Sequence, residues 1–387
     1  MLSQWALKML RFIPVWFDSM GSKSSSTYIE TKDARIFIDP GLSALQPGFP
    51  IPESWKSSYN MMGYRAIQNL ASKADIIIIT HYHYDHFEDP YSPYLDAKKI
   101  YGDKLILIKD PNIYINRSQH ERARIFLEHM IGFFLDKPLE DFLTEPKKTD
   151  FDDPLEWIPI ALNKDFGDYN RRRKEILASG KKRFLSLCDM WSKSMWIKEI
   201  NERSLRIEFA DGREYTFGPT KIRFTKPMFH GIEFDRLGWV IGAVIETKGR
   251  KLLYTSDVQG PFIEDYAEWV IRENPDIIII DGPPTYQFGY MMTRTNLRRA
   301  IENIKNILRH TDSELIIWDH HLLRDIYWRE RVGEALEEAK KLGRQLITSA
   351  EFYGKKPVAD LARLLKRGGR IKREEFIIPP NIEQINL

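Results

Sequence analysis

A cluster of histidines directly after an apolar run is the feature that most restricts what this chain can fold into. Residues 74–79 (ADIIII) have the composition of a strand buried on both faces, and residues 80–90 (THYHYDHFEDP) follow it. The chain of 387 residues contains nine histidines, and three of them fall between positions 81 and 86. Imidazole and carboxylate groups are good ligands for zinc and similar divalent ions. The cluster therefore predicts a metal site in a loop at the end of a strand.

The cluster has the spacing His81-x-His83-x-Asp85-His86. In a loop the backbone can curl so that side chains two residues apart point at one atom. We therefore expect His81 and His83 to hold one ion, and Asp85 and His86 to face a second. Ions held about 3.5–4 Å apart are a common hydrolytic arrangement. The competing interpretation is a solvated loop with chance histidines, and the scarcity of histidine elsewhere in the chain argues against it.

The motif after a buried strand resembles the signature of the metallo-β-lactamase fold superfamily. The resemblance implies an α/β (α+β) fold, a four-layer αββα sandwich with the metal site at one edge. The wider sequence SMGSKSSSTYIETKDARIFIDPG, with HGIEFDRLGWVIG and WDHHLLRD, resembles a poorly characterised archaeal family of hydrolases with this fold. The similarity extends over about residues 10–90 and 204–350.

The resemblance also implies three ligands further along the chain, each at a strand end. They are a histidine, a bridging aspartate and a last histidine, and His230 in KPMFHGIEF, Asp257 in LLYTSDVQG and His320 in ELIIWDHH match them in order. Asp39 in IFIDPG matches an upstream aspartate that would orient the ligand loop. The last ligand is ambiguous, because His321 adjoins His320. The spacing from the apolar run favours His320, which leaves His321 as an alternative ligand, a supporting residue or one that faces the substrate.

The strand and helix patterns predict one metallo-β-lactamase-like domain over residues 1–387. Within it, residues of about 90–218 are expected to form a mostly helical insertion, with an amphipathic helix over residues 118–134. Asp211 and Gly212 are expected to turn a hairpin between residues 204–209 and 213–217, and a second hairpin is expected over residues 239–255. A basic helical extension is expected over about residues 355–387.

Composition and charge indicate which substrates and which cellular compartment suit the protein. The net charge is +3, which fits an anionic substrate without demonstrating one. The one cysteine, Cys188, excludes an intramolecular disulfide and fits a reducing compartment. No run approaches the ~20 apolar residues that a membrane helix needs, so we expect a cytoplasmic protein with no membrane partner. Met1 and Met9 are both candidate starts, because the folded pattern begins near residue 10.

The expected ligands predict a metal-dependent hydrolase with two divalent ions, zinc first and iron or manganese as alternatives. Paired ions lower the pKa of a shared water and so supply a hydroxide that attacks an ester, thioester, lactone or phosphodiester. Asp85 is the expected catalytic residue, because it can both ligate the second ion and accept a hydrogen bond from the nucleophile. Tyr84 and Arg236 are candidate substrate contacts, although packing and a surface salt bridge are their plainer roles.

Two other functions are compatible with these residues. The first is a nuclease for RNA or DNA, in which the basic run at residues 171–174 (RRRK) would follow phosphates, although a charge run is more often a solvated helix face. The second is an iron-dependent redox protein or a metal-binding scaffold of the same fold. We expect a small-molecule or nucleotide-type substrate, with nucleic acid as a less favoured partner. The sequence does not determine the oligomeric state.

Overall fold

Two seven-stranded sheets form the centre of the fold in the part of the chain that the computed structural model describes, residues 10–372 and Glu375. The strands are β1 (Leu10–Phe17), β2 (Ser25–Thr31), β3 (Arg35–Ile38), β4 (Ile76–Ile79), β5 (Leu105–Ile108), β6 (Leu143–Thr144), β7 (Trp196–Ile197), β8 (Ile200–Glu202), β9 (Leu205–Phe209), β10 (Glu214–Phe217), β11 (Thr220–Phe224), β12 (Met228–Phe229), β13 (Trp239–Val240), β14 (Ala243–Thr247), β15 (Arg250–Tyr254), β16 (Ile277–Asp281), β17 (Leu315–Asp319) and β18 (Leu346–Ile347). The first sheet has the order β1-β2-β3-β4-β5-β9-β8, and the second has the order β10-β11-β14-β15-β16-β17-β18.

Helices cover the outer faces of both sheets. They are α1 (Glu53–Ala71), α2 (Ala97–Tyr101), α3 (Arg117–Leu135), α4 (Pro159–Asn163), α5 (Tyr169–Lys193), α6 (Glu264–Glu273), α7 (Arg294–His310), α8 (Trp328–Arg331), α9 (Gly333–Lys341), α10 (Ser349–Phe352) and α11 (Val358–Lys366). Residues of α1, α6 and α7 share one apolar core with the outward-facing side chains of the strands.

The continuous apolar strands follow from burial of each sheet on both faces. In β4, Ile76 and Ile78 point into the core between the sheets, which Ile279 of β16 enters from the other side. Ile77 and Ile79 alternate to the opposite face of β4 and join the core that the helices cover. Helix, sheet, sheet and helix thus lie in four layers, and the predicted αββα sandwich is confirmed.

Parallel strands bring the candidate ligands to one edge of this sandwich. The strands β3, β4 and β5 run parallel in the first sheet, as β15, β16 and β17 do in the second. Asp39, residues 80–86, Asp257 and His320 follow the carboxyl ends of β3, β4, β15 and β17. The carboxyl ends of parallel strands lie at the same edge of a sheet, where ligands commonly bind. Strand direction therefore collects residues that are far apart in sequence.

The predicted helical insertion over about residues 90–218 is too broad. This range supplies β5, β8 and β9 to the first sheet and β10 to the second. The sequence LILI of β5 has the same strand character as β4, with which it pairs in parallel. The α-helices in this range are α2, α3, α4 and α5, and α3 agrees with the helix predicted over residues 118–134. The single-domain assignment stays a prediction.

The hairpin predicted around Asp211 is wrong, because its two strands belong to different sheets. β9 pairs with β5 and β8, whereas β10 pairs with β11. The Asp211 carboxylate instead lies 2.6 Å from the ammonium nitrogen of the fully buried Lys109, just past β5. The second predicted hairpin exists in a shorter form, in which β14 pairs with β15 and β13 pairs with β12.

The C-terminal helix α11 supports the edge that carries the candidate ligands. It packs on two short 3-10 helices, Asp18–Met20 and His320–Arg324, and buries an apolar face that includes Val358 and Leu361. The predicted basic extension is therefore a packed element as far as Lys366.

The ends of the chain limit two further expectations. The rest of the basic extension lies outside the described residues, at positions 373–374 and 376–387. The choice between Met1 and Met9 also falls outside the described residues. Among the helices in the described part, none has both the length and the apolar character that crossing a membrane requires. The cytoplasmic location stays a prediction.

A buried ion network holds the loop that follows His230. Glu233 accepts hydrogen bonds from Arg173 of α5 at 2.9 Å and from Arg299 of α7 at 2.9 and 3.1 Å. Arg299 also binds Glu264 of α6 at 2.8 and 3.1 Å. Burial alone raises the pKa of Glu233, but the two arginines outweigh burial and lower that pKa to about 2. Three helices therefore fix the position of this loop.

Replacement of Arg299 by methionine is expected to lower the free energy of unfolding by about 3–5 kcal/mol, because two buried carboxylates lose their partner. Denaturant unfolding followed by circular dichroism measures this change. The control is Arg298→Met, which removes an exposed neighbour on α7 and should change the free energy by less than about 0.5 kcal/mol. Equal stability of the two variants would contradict the role of the network.

The same network makes the stability depend on pH. The pKa of Glu233 is lower in the folded protein, so the contribution of Glu233 to the free energy of unfolding is present above the ordinary pKa of 4.5 and is lost as the pH falls towards 2.

Candidate metal centre

One carboxylate oxygen lies at the centre of the histidine cluster. Asp257 Oδ2 is 3.2 Å from His86 Nε2, 3.3 Å from both His230 Nε2 and His320 Nε2, and 3.5 Å from His81 Nε2. Each of these five side chains is at most 2% exposed. They follow β4, β12, β15 and β17, so both sheets contribute to the cluster.

The candidate ligand atoms form three overlapping groups, of which the third consists of Asp257, His320 and His321. In the first group three histidines surround Asp257, with all ligand atoms within 4.8 Å of one another: His81, His83 and His230. In the second group one carboxylate and two histidines are equally close: Asp85, His86 and His320. The first two groups meet at Asp257 Oδ2, which lies close to nitrogens of both. The assignment of the loop residues to two separate ions stays a prediction.

Buried polar atoms without partners mark this cluster as one that fits metal ions. His86 Nε2, both ring nitrogens of His230 and Asp257 Oδ1 are buried without a well-oriented hydrogen bond, although the two Nε2 atoms lie 3.2 and 3.3 Å from Asp257 Oδ2. One such atom costs about 1–3 kcal/mol, so several at one place require an explanation. Imidazole nitrogens and carboxylate oxygens are the donors that zinc and related ions take in proteins. Divalent ions would satisfy the lone pairs that the protein leaves unpaired.

Asp39 holds the imidazole of His86 in place. Its Oδ2 lies 2.9 Å from His86 Nδ1, and its two oxygens accept hydrogen bonds from the amide and the hydroxyl of Thr80 at 2.8 and 2.7 Å. The hydroxyl of Tyr254 donates to the same carboxylate at 2.8 Å. Asp39 has a φ of 53°, a left-handed conformation that stores strain in a residue with a side chain. Its contacts match the orienting role that the sequence suggested.

Asp18 holds His320 in the same manner, and sequence reasoning missed it. Asp18 Oδ1 lies 2.7 Å from His320 Nδ1, although 302 positions separate the two residues. His320 itself has a φ of 65°, so a second strained residue lies at the centre. Burial raises the pKa of Asp18, but Arg324 and His320 outweigh burial and lower that pKa overall. No local spacing could have connected residues so far apart.

The neighbouring His321 faces a different carboxylate. Its Nδ1 lies 3.0 Å from both oxygens of Asp281 and 4.0 Å from Asp257 Oδ2. The corresponding distance to Asp257 Oδ2 is 3.3 Å for His320 Nε2. Because Asp257, His320 and His321 also form a group within 4.8 Å, the choice of His320 as the last ligand stays a prediction. His321 remains beside the centre, where Asp281 at the end of β16 fixes its ring.

The charges around the histidines differ between the two groups. Burial and neighbouring histidines lower the pKa of His81, and they lower that of His83 to about 3, so both rings are neutral with free lone pairs. Burial acts in the same direction on His86, but Asp257 and Asp39 outweigh it and raise its pKa to about 10. The carboxylates thus attract positive charge to the centre, and a metal ion supplies such charge.

A cation that the sequence analysis did not identify lies within the second group. Arg324 donates from Nε to Asp18 Oδ2 at 2.7 Å and from Nη2 to Asp85 Oδ2 at 2.9 Å, and its Nη2 is 3.3 Å from His320 Nε2. Lys23 is near enough for the charges of Arg324, Asp85 and Asp18 to act on its pKa, which burial lowers. Arg324 follows His320 by four residues in WDHHLLRD, which is one helical turn. This spacing is the sequence signal from which the arginine could have been identified.

The aromatic residues between the ligands divide between core and surface. Tyr82 and Phe87 are buried and pack beneath the loop, whereas Tyr84 is 56% exposed. The guanidinium carbon of Arg122 lies 4.8 Å from the centre of the Tyr84 ring. Arg236 is exposed and lines a cavity of about 210 Å³ between α5 and the loop after His230. Two more arginines line that cavity, Arg117 and Arg183. Tyr84 and Arg236 stay candidate substrate contacts.

Comparison with known proteins agrees with the fold and the cluster. The family model of the Metallo-beta-lactamase superfamily matches residues 20–87, which include Asp39 and the motif from His81 to His86. A UPF0282 protein of Korarchaeum cryptofilum (strain OPF8) is 32% identical over 347 residues, which cover 89% of this chain and 90% of the relative. The chain belongs to the UPF0282 family. A second UPF0282 protein, from Methanopyrus kandleri, is 31% identical over 359 residues, with coverage of 89% and 94%. The resemblance to the superfamily, and to an archaeal family within it, is confirmed.

Among solved structures, this UPF0282 chain is similar to the metallo-beta-lactamase fold protein YhfI from Bacillus subtilis. The TM-score is 0.41 at 12% sequence identity, and the match covers 88% of this chain and 96% of YhfI. A likeness at this level says nothing about the reaction of the UPF0282 protein.

Gly41 allows the ligand loop of the UPF0282 protein to lie against the segment after β3. A Cβ atom at this position would lie 2.2 Å from the Phe87 amide nitrogen and 2.5 Å from that of His86. Gly41→Ala is therefore expected to displace His86 and to weaken metal binding by about 10–100-fold, the usual effect of disturbing how a ligand is held. Metal content after dialysis against graded concentrations of a chelator measures the loss.

The control for this variant is Gly48→Ala, because no atom lies within 4 Å of a Cβ at Gly48. The control should retain metal like the unmodified protein. Equal metal retention by the two variants would show that the close contact at Gly41 does not hold the ligand loop.

Proposed function

We propose that this protein is a metal-dependent hydrolase with two divalent ions. The observation that carries the proposal is the convergence of four imidazole nitrogens within 3.5 Å of Asp257 Oδ2, together with buried ring nitrogens that have no other partner. The proposed ligands are His81, His83 and His230 for the first ion, Asp85, His86 and His320 for the second, and Asp257 for both.

The bound ions supply a nucleophile at neutral pH, because paired divalent ions lower the pKa of water. The protein keeps the ligands in place, with Asp39 orienting His86 and Asp18 orienting His320. Asp85 is the proposed catalytic residue. It is 9% exposed, whereas Asp257 is 1% exposed, so Asp85 is the carboxylate better placed to accept a hydrogen bond from a nucleophile that enters from solvent.

We propose zinc as the metal, because imidazole and carboxylate donors suit this ion and the cluster contains no thiolate. Iron and manganese take the same donors, and iron would allow the redox chemistry of the alternative function. Zinc has no redox chemistry and no visible absorption in such a site. Elemental analysis together with an optical spectrum of the purified protein therefore separates these alternatives.

We propose a small anionic ester, thioester, lactone or phosphodiester as the substrate class. The partly buried Lys23 is near enough to Asp85 for the charge of that carboxylate to act on its pKa, and His83 is partly exposed. Arg236 contributes further positive charge to the cavity beside the loop after His230. Fixed cations of this kind hold and orient anionic groups, arginine often through two parallel hydrogen bonds.

The basic run at residues 171–174 supports a nuclease less than its sequence suggested. Arg173 is 8% exposed and binds Glu233 and the carbonyl oxygen of Ala161. Arg172 forms an ion pair with Glu175 at 2.7 Å. The buried charge of Arg173 is therefore not free to contact a phosphate backbone. We therefore favour a small molecule over a polynucleotide as the substrate.

A panel of generic aryl esters and bis-aryl phosphodiesters tests the proposal on protein of known metal content. His83→Ala and Asp257→Ala are expected to lower kcat/KM by at least about 100-fold. Mutation of residues that only orient ligands already lowers metal affinity or activity by about 10–100-fold. The matched control is His310→Ala, which removes an exposed histidine at the end of α7 and should leave the rate unchanged.

Two outcomes would overturn this proposal. One is full activity in both His83→Ala and Asp257→Ala, and the other is a protein that binds no metal under any loading condition. A gel shift with single-stranded RNA that weakens with rising salt would favour the nuclease instead, because phosphate contacts are salt-dependent.

A further inference from the structure

Arg324 places a fixed positive charge in the half of the centre that is assigned to the second ion. Its side chain is 9% exposed, and its Nη2 lies within hydrogen-bond distance of two proposed ligands, Asp85 Oδ2 at 2.9 Å and His320 Nε2 at 3.3 Å. These two ligand atoms are 3.8 Å apart, so the guanidinium nitrogen contacts both from one position.

Arg324 is anchored where it lies. Asp18 Oδ2 accepts a hydrogen bond from its Nε at 2.7 Å, and the amide of Gln46 donates to its backbone carbonyl at 3.0 Å. Asp18 also holds His320 through its other oxygen. One buried carboxylate therefore positions both the arginine and the histidine that the arginine contacts.

Among the residues that the structure describes, no arginine or lysine forms a hydrogen bond or ion pair with His81, His83 or His230. The ring nitrogens of His81 contact His83, the Asp257 carboxylate and the hydroxyls of Thr80 and Ser256. None of these partners is an arginine or a lysine. The two halves of the centre therefore differ in charge, although they have similar ligand types.

We propose that Arg324 and the second divalent ion compete for Asp85 and His320, so that the first group fills before the second and holds its ion more tightly. A divalent ion at the second group must share Asp85 with a cation or displace it, and like charges in contact oppose binding. Arg324 is thus a positioning residue that keeps Asp85 and His320 in place when one ion is bound. The inference rests on the proposed metal centre and concerns only how the centre fills.

The test uses the full-length protein after its metal has been removed with a chelator. Zn²⁺ is titrated against a competing chromophoric chelator, which yields both dissociation constants without any measurement of activity. The unmodified protein is expected to bind two ions in separate steps. Arg324→Met keeps the bulk of the side chain without its charge, and it should tighten the second step by about 5–150-fold, the usual range of coupling between two ligands.

The control variant is Arg329→Met, which removes an arginine of α8 that is paired with Glu351 of α10 and Asp360 of α11. It should leave both dissociation constants unchanged. Circular dichroism establishes that each variant is folded. If Arg324→Met does not fold, ¹¹³Cd NMR of the unmodified protein decides, because one resonance should saturate before the second appears.

Two outcomes overturn the inference while leaving the proposed function intact. They are equal filling of both sites in the unmodified protein, and a second dissociation constant that Arg324→Met leaves unchanged or raises. A protein that takes up no ion overturns the proposed function and this inference together.

Discussion

The candidate site depends on a single carboxylate oxygen, because four buried imidazoles from both sheets come within 3.5 Å of Asp257 Oδ2. Such an arrangement is unfavourable for the protein alone, since burial leaves several of these nitrogens without hydrogen bonds. The surrounding fold must therefore resist the tendency of the cluster to rearrange. Much of the structure near this edge is understandable as the means of holding it.

Buried carboxylates and residues with strained backbone conformations hold the histidine cluster in place. Asp39 holds His86 from the first sheet, and Asp18 holds His320 from the first strand connection. Asp39, Ser256 and His320 all adopt left-handed φ values between 53° and 65° without being glycine. Conformations of this kind persist only where the surroundings over-determine them, and they concentrate at functional sites. The ends of the described chain also contribute, because α11 packs behind the loops that carry Asp18 and His320.

The candidate ligand residues could be identified from the sequence because each carries a local signal. His81, His83, Asp85 and His86 stand in one motif, and the others each follow an apolar run. Asp18 and Arg324 were not predictable in the same way, because their roles arise from contacts across 302 and 239 positions. The fold shows the same difference between features with a local signal and features that depend on distant contacts. Strand character was readable from the isoleucine runs, whereas partner choice was not, as the false hairpin at Asp211 shows.

The sequence by itself determined the class of fold and the chemical types of the ligands, because both depend on local composition: apolar runs that must be buried, and scarce histidines placed where those runs end. Only the tertiary structure decided which histidine faces Asp257, which carboxylates orient the rings, and that an arginine contacts Asp85. Those features depend on distances of a few ångströms between strand ends. The pairing and direction of the strands set such distances, and no single segment of the chain encodes them.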